Sequence, residues 1–217
     1  MKFIRERTVL LSLLIVLLFF VEACQKDGEK VILENPCSPP CWRQITPGKT
    51  NQDELVRILE DMPDVNQRSI QILGPWNIFD SNIVVQLDSN IEVEFYLIKN
   101  QVILIAIHDK FDLTYSEAVK HFGDPDVITA ARTLGPSRIL IGDTPLLYIS
   151  SMIPSIGIGF GFATTDISMK SDEEIKPDSK ITDFDYYDPE SFKTLLERGL
   201  FTMGNTWDYK YWRSNSK

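Results

Sequence analysis

The chain has 217 residues, 43% of them hydrophobic and 11% aromatic, which is ample for one sizeable packed domain or two small ones and too apolar for a disordered protein. Its formal charge is −9. A surface of that sign repels phosphate backbones and anionic head groups, which argues against nucleic-acid binding.

The first element is a targeting segment, Met1–Ala23. Lys2, Arg5 and Arg7 form a positive region, and Val9–Val21 is an apolar run too short for a comfortable membrane span. Setting the segment aside leaves 19 basic against 29 acidic residues, a net charge of −10. Val21-Glu22-Ala23 ends in a small residue directly before Cys24, and this junction resembles a bacterial lipobox, in which the Cys receives lipid and becomes the new N-terminus. Glu22 departs from the small or apolar residue usual there. Ordinary cleavage after Ala23 with Cys24 free, and an uncleaved N-terminal anchor, remain the alternatives. Lipidation accounts best for a lone exported Cys that would otherwise be an exposed reactive thiol.

Residues 24–36 are polar without helical or strand period and read as a tether. Cys37-Ser-Pro-Pro-Cys41 closes a tight loop, and in an oxidising compartment a disulfide is its natural state. A redox dithiol or half a metal site are the alternatives, but redox dithiols usually have two intervening residues, and no second Cys pair completes a zinc site.

Two helix starts organise the rest. Thr50 with Asp53, and Thr114 with Glu117, each read as a Thr N-cap with an acid three residues on, 64 residues apart. The first helix lies within Asn51–Met62 with Leu55, Ile58, Leu59 and Met62 on one face; the second is Tyr115–Phe122, stopped by Gly123-Asp-Pro125. Strands follow each. After the first come Ile83–Leu87, Ile91–Leu97 and the wholly apolar Val102–Ile107, with an additional run near Ser69–Leu73. After the second come Val127–Arg132, Arg138–Ile141, Leu146–Ser150 and Ile156–Phe162, whose Gly157, Gly159 and Gly161 leave one face bare. That face suits packing from within the chain, or a partner's docking. Met169–Lys180 reads as an exposed loop, Ile181–Tyr187 as a strand, and Asp188-Pro189 as the opening of a last helix ending at Gly199. An aromatic tail, Trp207 to Trp212, closes the chain.

Residues suited to catalysis are sparse. His108 ends the apolar strand and His121 sits on the second helix; neither belongs to a zinc-peptidase motif, and both read as surface or boundary residues. Ser150, Ser151 and Ser155 lack a nucleophile elbow. Asp183, Asp185 and Asp188 are the best metal candidates, but the spacing misses the calcium-loop pattern; in a strand Asp183 and Asp185 would share a solvent face while Asp188 caps a helix. No cofactor or metal is expected.

Gly48-Lys-Thr50, an amphipathic helix and a β-meander together resemble the small outer-membrane lipoproteins of the SmpA/BamE type, whose hallmarks are a Gly-x-Thr helix entry and a later Gly-x-Pro. The apparent doubling is similar to the β-lactamase inhibitory protein family, in which two such units place their sheets together to form a protein-binding surface. The hallmarks are split here: Gly48 and Thr50 in the first copy, Gly123-Asp-Pro125 in the second. The resemblance covers about residues 45–162 and implies fold and location, not a partner.

The expected architecture is α+β, two tandem helix-then-antiparallel-meander units at 37–111 and 112–168, with a loop, strand, helix and tail at 169–217. The expected function is a non-enzymatic, membrane-tethered lipoprotein of the cell envelope, lipid-anchored at Cys24, exposed on the extracytoplasmic side and binding another envelope protein. The alternative is a solute- or glycan-binding lipoprotein using Trp207, Tyr209, Tyr211 and Trp212.

Overall fold

The computed structural model describes residues 31–75, 78–88, 90–133, 146–166, 168–197 and 206–214. The targeting segment, Cys24, the expected strand Arg138–Ile141 and the Gly199 helix stop lie outside the described residues. Packing begins ahead of Cys37, because residues 31–33 are helical and Val31 and Ile32 are buried in the core. The tether reading is therefore corrected at its C-terminal end: two apolar side chains there have a core to enter.

Beyond residue 50, among the described residues, helices α1 (Gln52–Asp61), α2 (Tyr115–Phe122) and α3 (Phe192–Glu197) accompany strands β1 (Gln71–Leu73), β2 (Ser81–Gln86), β3 (Glu92–Ile98), β4 (Gln101–His108), β5 (Val127–Thr133), β6 (Leu146–Ile153), β7 (Ile158–Thr164), β8 (Asp183–Tyr187) and β9 (Thr206–Ser214). The strands form one sheet in the order β1-β2-β3-β4-β8-β7-β6-β5-β9. Every pairing is antiparallel. The class is α+β, with short helices on an antiparallel sheet. The apolar strand β4 is central as its composition requires, and β8, from beyond residue 168, lies beside it in the middle of the sheet.

At α2 the capping box forms as expected. The Glu117 amide donates to Thr114 Oγ1, and the Thr114 amide donates to Glu117 Oε2 at 2.8 Å. Thr114→Ala is expected to cost about 1 kcal/mol in chemical denaturation, with Thr114→Ser close to wild type. At α1 the expectation is corrected. Asn51, not Thr50, is the N-cap and accepts from the Glu54 amide at 3.0 Å. Thr50 is buried and turned back, its Oγ1 accepting from the Thr46 amide at 2.9 Å while its carbonyl accepts from the Val102 amide. Asn caps more strongly than Thr, and Thr50 is already committed to β4. The two caps, Asn51 and Thr114, are thus 63 residues apart rather than 64.

One face of the sheet carries the larger core. Leu55 and Leu59 of α1 and Ala118 of α2 pack with Phe95, Ile105, Ile107, Phe160 and Phe184. Trp42 is fully buried there, its indole N–H donating to the Val31 carbonyl and its ring centroid 5.9 Å from that of Phe95. On the other face, Leu195 of α3 packs with Phe79, Ile103, Leu104, Val127, Met152 and Tyr187.

The β4–β8 ladder is symmetric about its middle. Leu104 pairs with Tyr187 and His108 with Asp183, around a central Ala106–Asp185 pair. Each of the two longer helices is tied to the strand that enters this ladder from its own side: Asn51 bridges Gln101, and Thr114 bridges Lys180.

Candidate functional site: a buried polar patch at the sheet centre

Residues opposite one another in an antiparallel sheet point to the same face, so the registers define two transverse rows. One runs Glu94, Ala106, Asp185, Gly159, Met152 and Val127; the next runs Glu92, His108, Asp183, Gly161, Ser150 and Thr129. Both lie opposite the α1 and α2 core. Asp183 is 1% exposed, Asp185 8% and Glu94 6%. The prediction that Asp183 and Asp185 share a face holds, but that face is not solvent: β8 lies in the interior of the sheet. Asp188 falls outside the patch and caps the turn before α3, accepting from the Glu190 amide and the Ser191 hydroxyl.

His108 Nδ1 lies 2.7 Å from Asp183 Oδ1, and the Thr182 hydroxyl donates to the other Asp183 oxygen. Across the sheet, the buried Tyr148 hydroxyl also reaches Asp183. Gly161 makes that possible: a Cβ there would stand 2.8 Å from the Tyr148 hydroxyl oxygen and 2.8 Å from the Ile149 carbonyl. A Cβ on Gly159 would stand 3.4 Å from Asp185 Oδ2. The bare glycine face is thus occupied from within, by Tyr148 and Asp185. On β3, the Tyr96 hydroxyl donates to Glu94. Thr129 Oγ1 and Ser150 Oγ, neighbours across β5 and β6, are buried without a hydrogen-bond partner.

Burial pushes the Asp185 carboxyl up to about 7, Asp183 adds to the shift, and His108 opposes it. Burial by itself would lower the His108 pKa, but the hydrogen bond and charge of Asp183, with Asp185 and Glu94, outweigh it and raise it above its ordinary value. Tyr148 is pushed well up by burial and then by the two aspartates. The patch can therefore hold protons near neutral pH. It has no nucleophile at hand: among the described residues no Ser, Thr or Cys hydrogen-bonds His108, and the Ser151 hydroxyl meets that of Tyr115 at 3.2 Å. No group of three or more His, Cys, Asp or Glu among the described residues has the geometry to hold a metal ion.

Other sequence candidates are dispersed. His121 is exposed, its ring against Phe122. Cys37 and Cys41 form a disulfide with a Cα–Cα distance of 5.7 Å. The Asn35 side-chain amide donates to the carbonyls of both cysteines and stiffens the loop. The aromatic tail runs as edge strand β9 on β5: the backbone pairs Tyr209 with Ala131 and Tyr211 with Thr129, and Trp207 and Trp212 fall at the two register shifts. His108 is the residue that motif reading missed. Its partner lies 75 residues away, and no local pattern signals the pair. The one clue in the sequence was the alternation of Asp183 and Asp185 with Phe184 and Tyr186, which places two carboxylates on one face of a strand.

No protein-family model, curated protein or solved structure matches the chain.

Proposed function

We propose that the chain is an exported, membrane-tethered binding module of the cell envelope, without catalytic chemistry, built from two tandem units of the SmpA/BamE and β-lactamase inhibitory protein kind. The observation that supports the tandem reading is the strand order: α1 is followed by β1–β4 and α2 by β5–β8, and β4 lies beside β8, so two four-strand meanders run outward from their last strands. In the family it resembles, two such units place their sheets together.

Intact-envelope crosslinking and pull-down, paired with mass analysis of the mature N-terminus, test this reading. A lipid on Cys24 and a specific protein crosslink are the expected results. Cys24→Ser should move the protein from the membrane to the soluble fraction; retention on the membrane counts against the anchor.

A further inference from the structure

We infer that the joint between the two halves of the sheet is proton-locked: protons held by His108 and Asp185 around the buried Asp183 keep β8 seated on β4, and their loss loosens this ladder before the others. The inference concerns the sheet itself and does not depend on what the protein binds.

The geometry carries the argument. His108 stands opposite Asp183 on one side and Glu92 on the other, while Ala106 separates Asp185 from Glu94. A single imidazole thus lies among four carboxylates on adjacent strands, three of them buried. Among the described side chains, His108 is the cationic group that meets Asp183 and faces Asp185. β7 contributes only Gly159 and Gly161, β6 contributes Tyr148, and Tyr187 of β8 gives its hydroxyl to the Ile158 carbonyl. Lys193 of α3 is exposed, 3.8 Å from Glu197. With both Asp183 and Asp185 ionised, the two buried acids of β8 would outnumber the one imidazole beside them and leave negative charge away from water. Proton uptake is the inexpensive remedy, and the high Asp185 pKa and raised His108 pKa agree with it. When those protons leave, Asp183 and Asp185, two residues apart on one face of β8, repel each other. β8, which bears both charges, is the strand displaced. The β2–β3 ladder pairs Glu94 with Val84, and its remaining pairs lie farther from Asp185.

Amide hydrogen exchange on the full mature protein, corrected for the intrinsic pH dependence, tests the lock by comparing the β4–β8 and β2–β3 ladders between about pH 5 and 9. Seam protection should fall by up to about tenfold per pH unit for each proton released as pH rises toward the folded pKa of about 7 for Asp185, and level off above the folded values, while β2–β3 protection changes less. Asp185→Asn, which imitates the protonated acid and retains its shape, should flatten the seam profile. NMR titration should place the His108 midpoint above 6.5 and lower it in Asp183→Asn. Parallel loss of protection in both ladders, a seam profile unchanged by Asp185→Asn, or a His108 midpoint indifferent to Asp183 overturns the inference.

Discussion

Gly157→Ala is expected to lower the stability of the folded chain by about 4 kcal/mol, more than a methyl group added at any other described glycine. Gly157 has φ +66, where an L side chain meets its own backbone, at a cost of about 1–2 kcal/mol. The added Cβ would also stand 2.2 Å from the Tyr187 carbonyl oxygen and 2.8 Å from Pro40 Cβ. Neither neighbour yields easily. The Tyr187 amide donates to the Gly157 carbonyl at 2.9 Å, fixing the end of β8, and Pro40 lies inside the disulfide loop. Relieving the clash means parting β7 from β8 or displacing the loop, which brings the overpacking cost of about 1–3 kcal/mol. Gly74→Ala is the control: a Cβ there meets nothing within 4 Å, and the change should stay within about 0.5 kcal/mol. Urea titrations of both variants at one pH read the contrast. A Gly157→Ala midpoint equal to that of Gly74→Ala would show that the packing around residue 157 is not as close as described.

The second large effect is a fall in stability as pH rises from about 4 through about 7. The Asp185 carboxyl has its ordinary pKa of 3.8 in the unfolded chain and one of about 7 in the folded protein. Between those values the folded protein holds a proton that the unfolded chain has released, so raising the pH favours unfolding, and the effect is complete above about 7. The raised His108 pKa acts in the same direction: its contribution is fully present below 6.5 and is lost as pH rises through the folded value. A shift of this size in a buried carboxyl corresponds to several kcal/mol, on the order of 4. Asp185→Asn should therefore be more stable than wild type at about pH 8 and close to it at about pH 4, with a flatter profile between. Thermal melts at fixed ionic strength measure both. A wild-type melting temperature that is level or climbs from about pH 5 to 8 contradicts the assignment.

Much of the local structure was legible because it obeys local rules. Leu55 and Leu59 recur at helical spacing, Thr114 and Glu117 form a box within one turn, and Val102–Ile107 is apolar throughout because both faces of β4 are covered. Where the reading slipped, a distant contact decided the outcome. Thr50 would cap α1 but for Val102, whose amide already takes the Thr50 carbonyl. Asp183 and Asp185 look like a solvent face, since charged residues alternating with aromatic ones usually mark a half-exposed strand. In the sheet they lie between β4 and β7, and their alternation separates the apolar core on one face from the polar patch on the other.

The amino-acid order alone determined the export segment and anchor as expectations, and the tight cysteine loop, the start and stop of α2, and β-rich halves as structure. All of these follow from neighbours within a few residues, whose periodicity, caps and turn residues act through short-range sterics and hydrogen bonds. Only the tertiary structure decided that β8 would join the halves, that His108 would meet Asp183 and that Tyr148 would cross Gly161. Those contacts depend on strand order and register, which a chain settles by burying whole faces at once. The resulting burial, absent from any stretch of the sequence, is what turns ordinary acids into proton-holding ones.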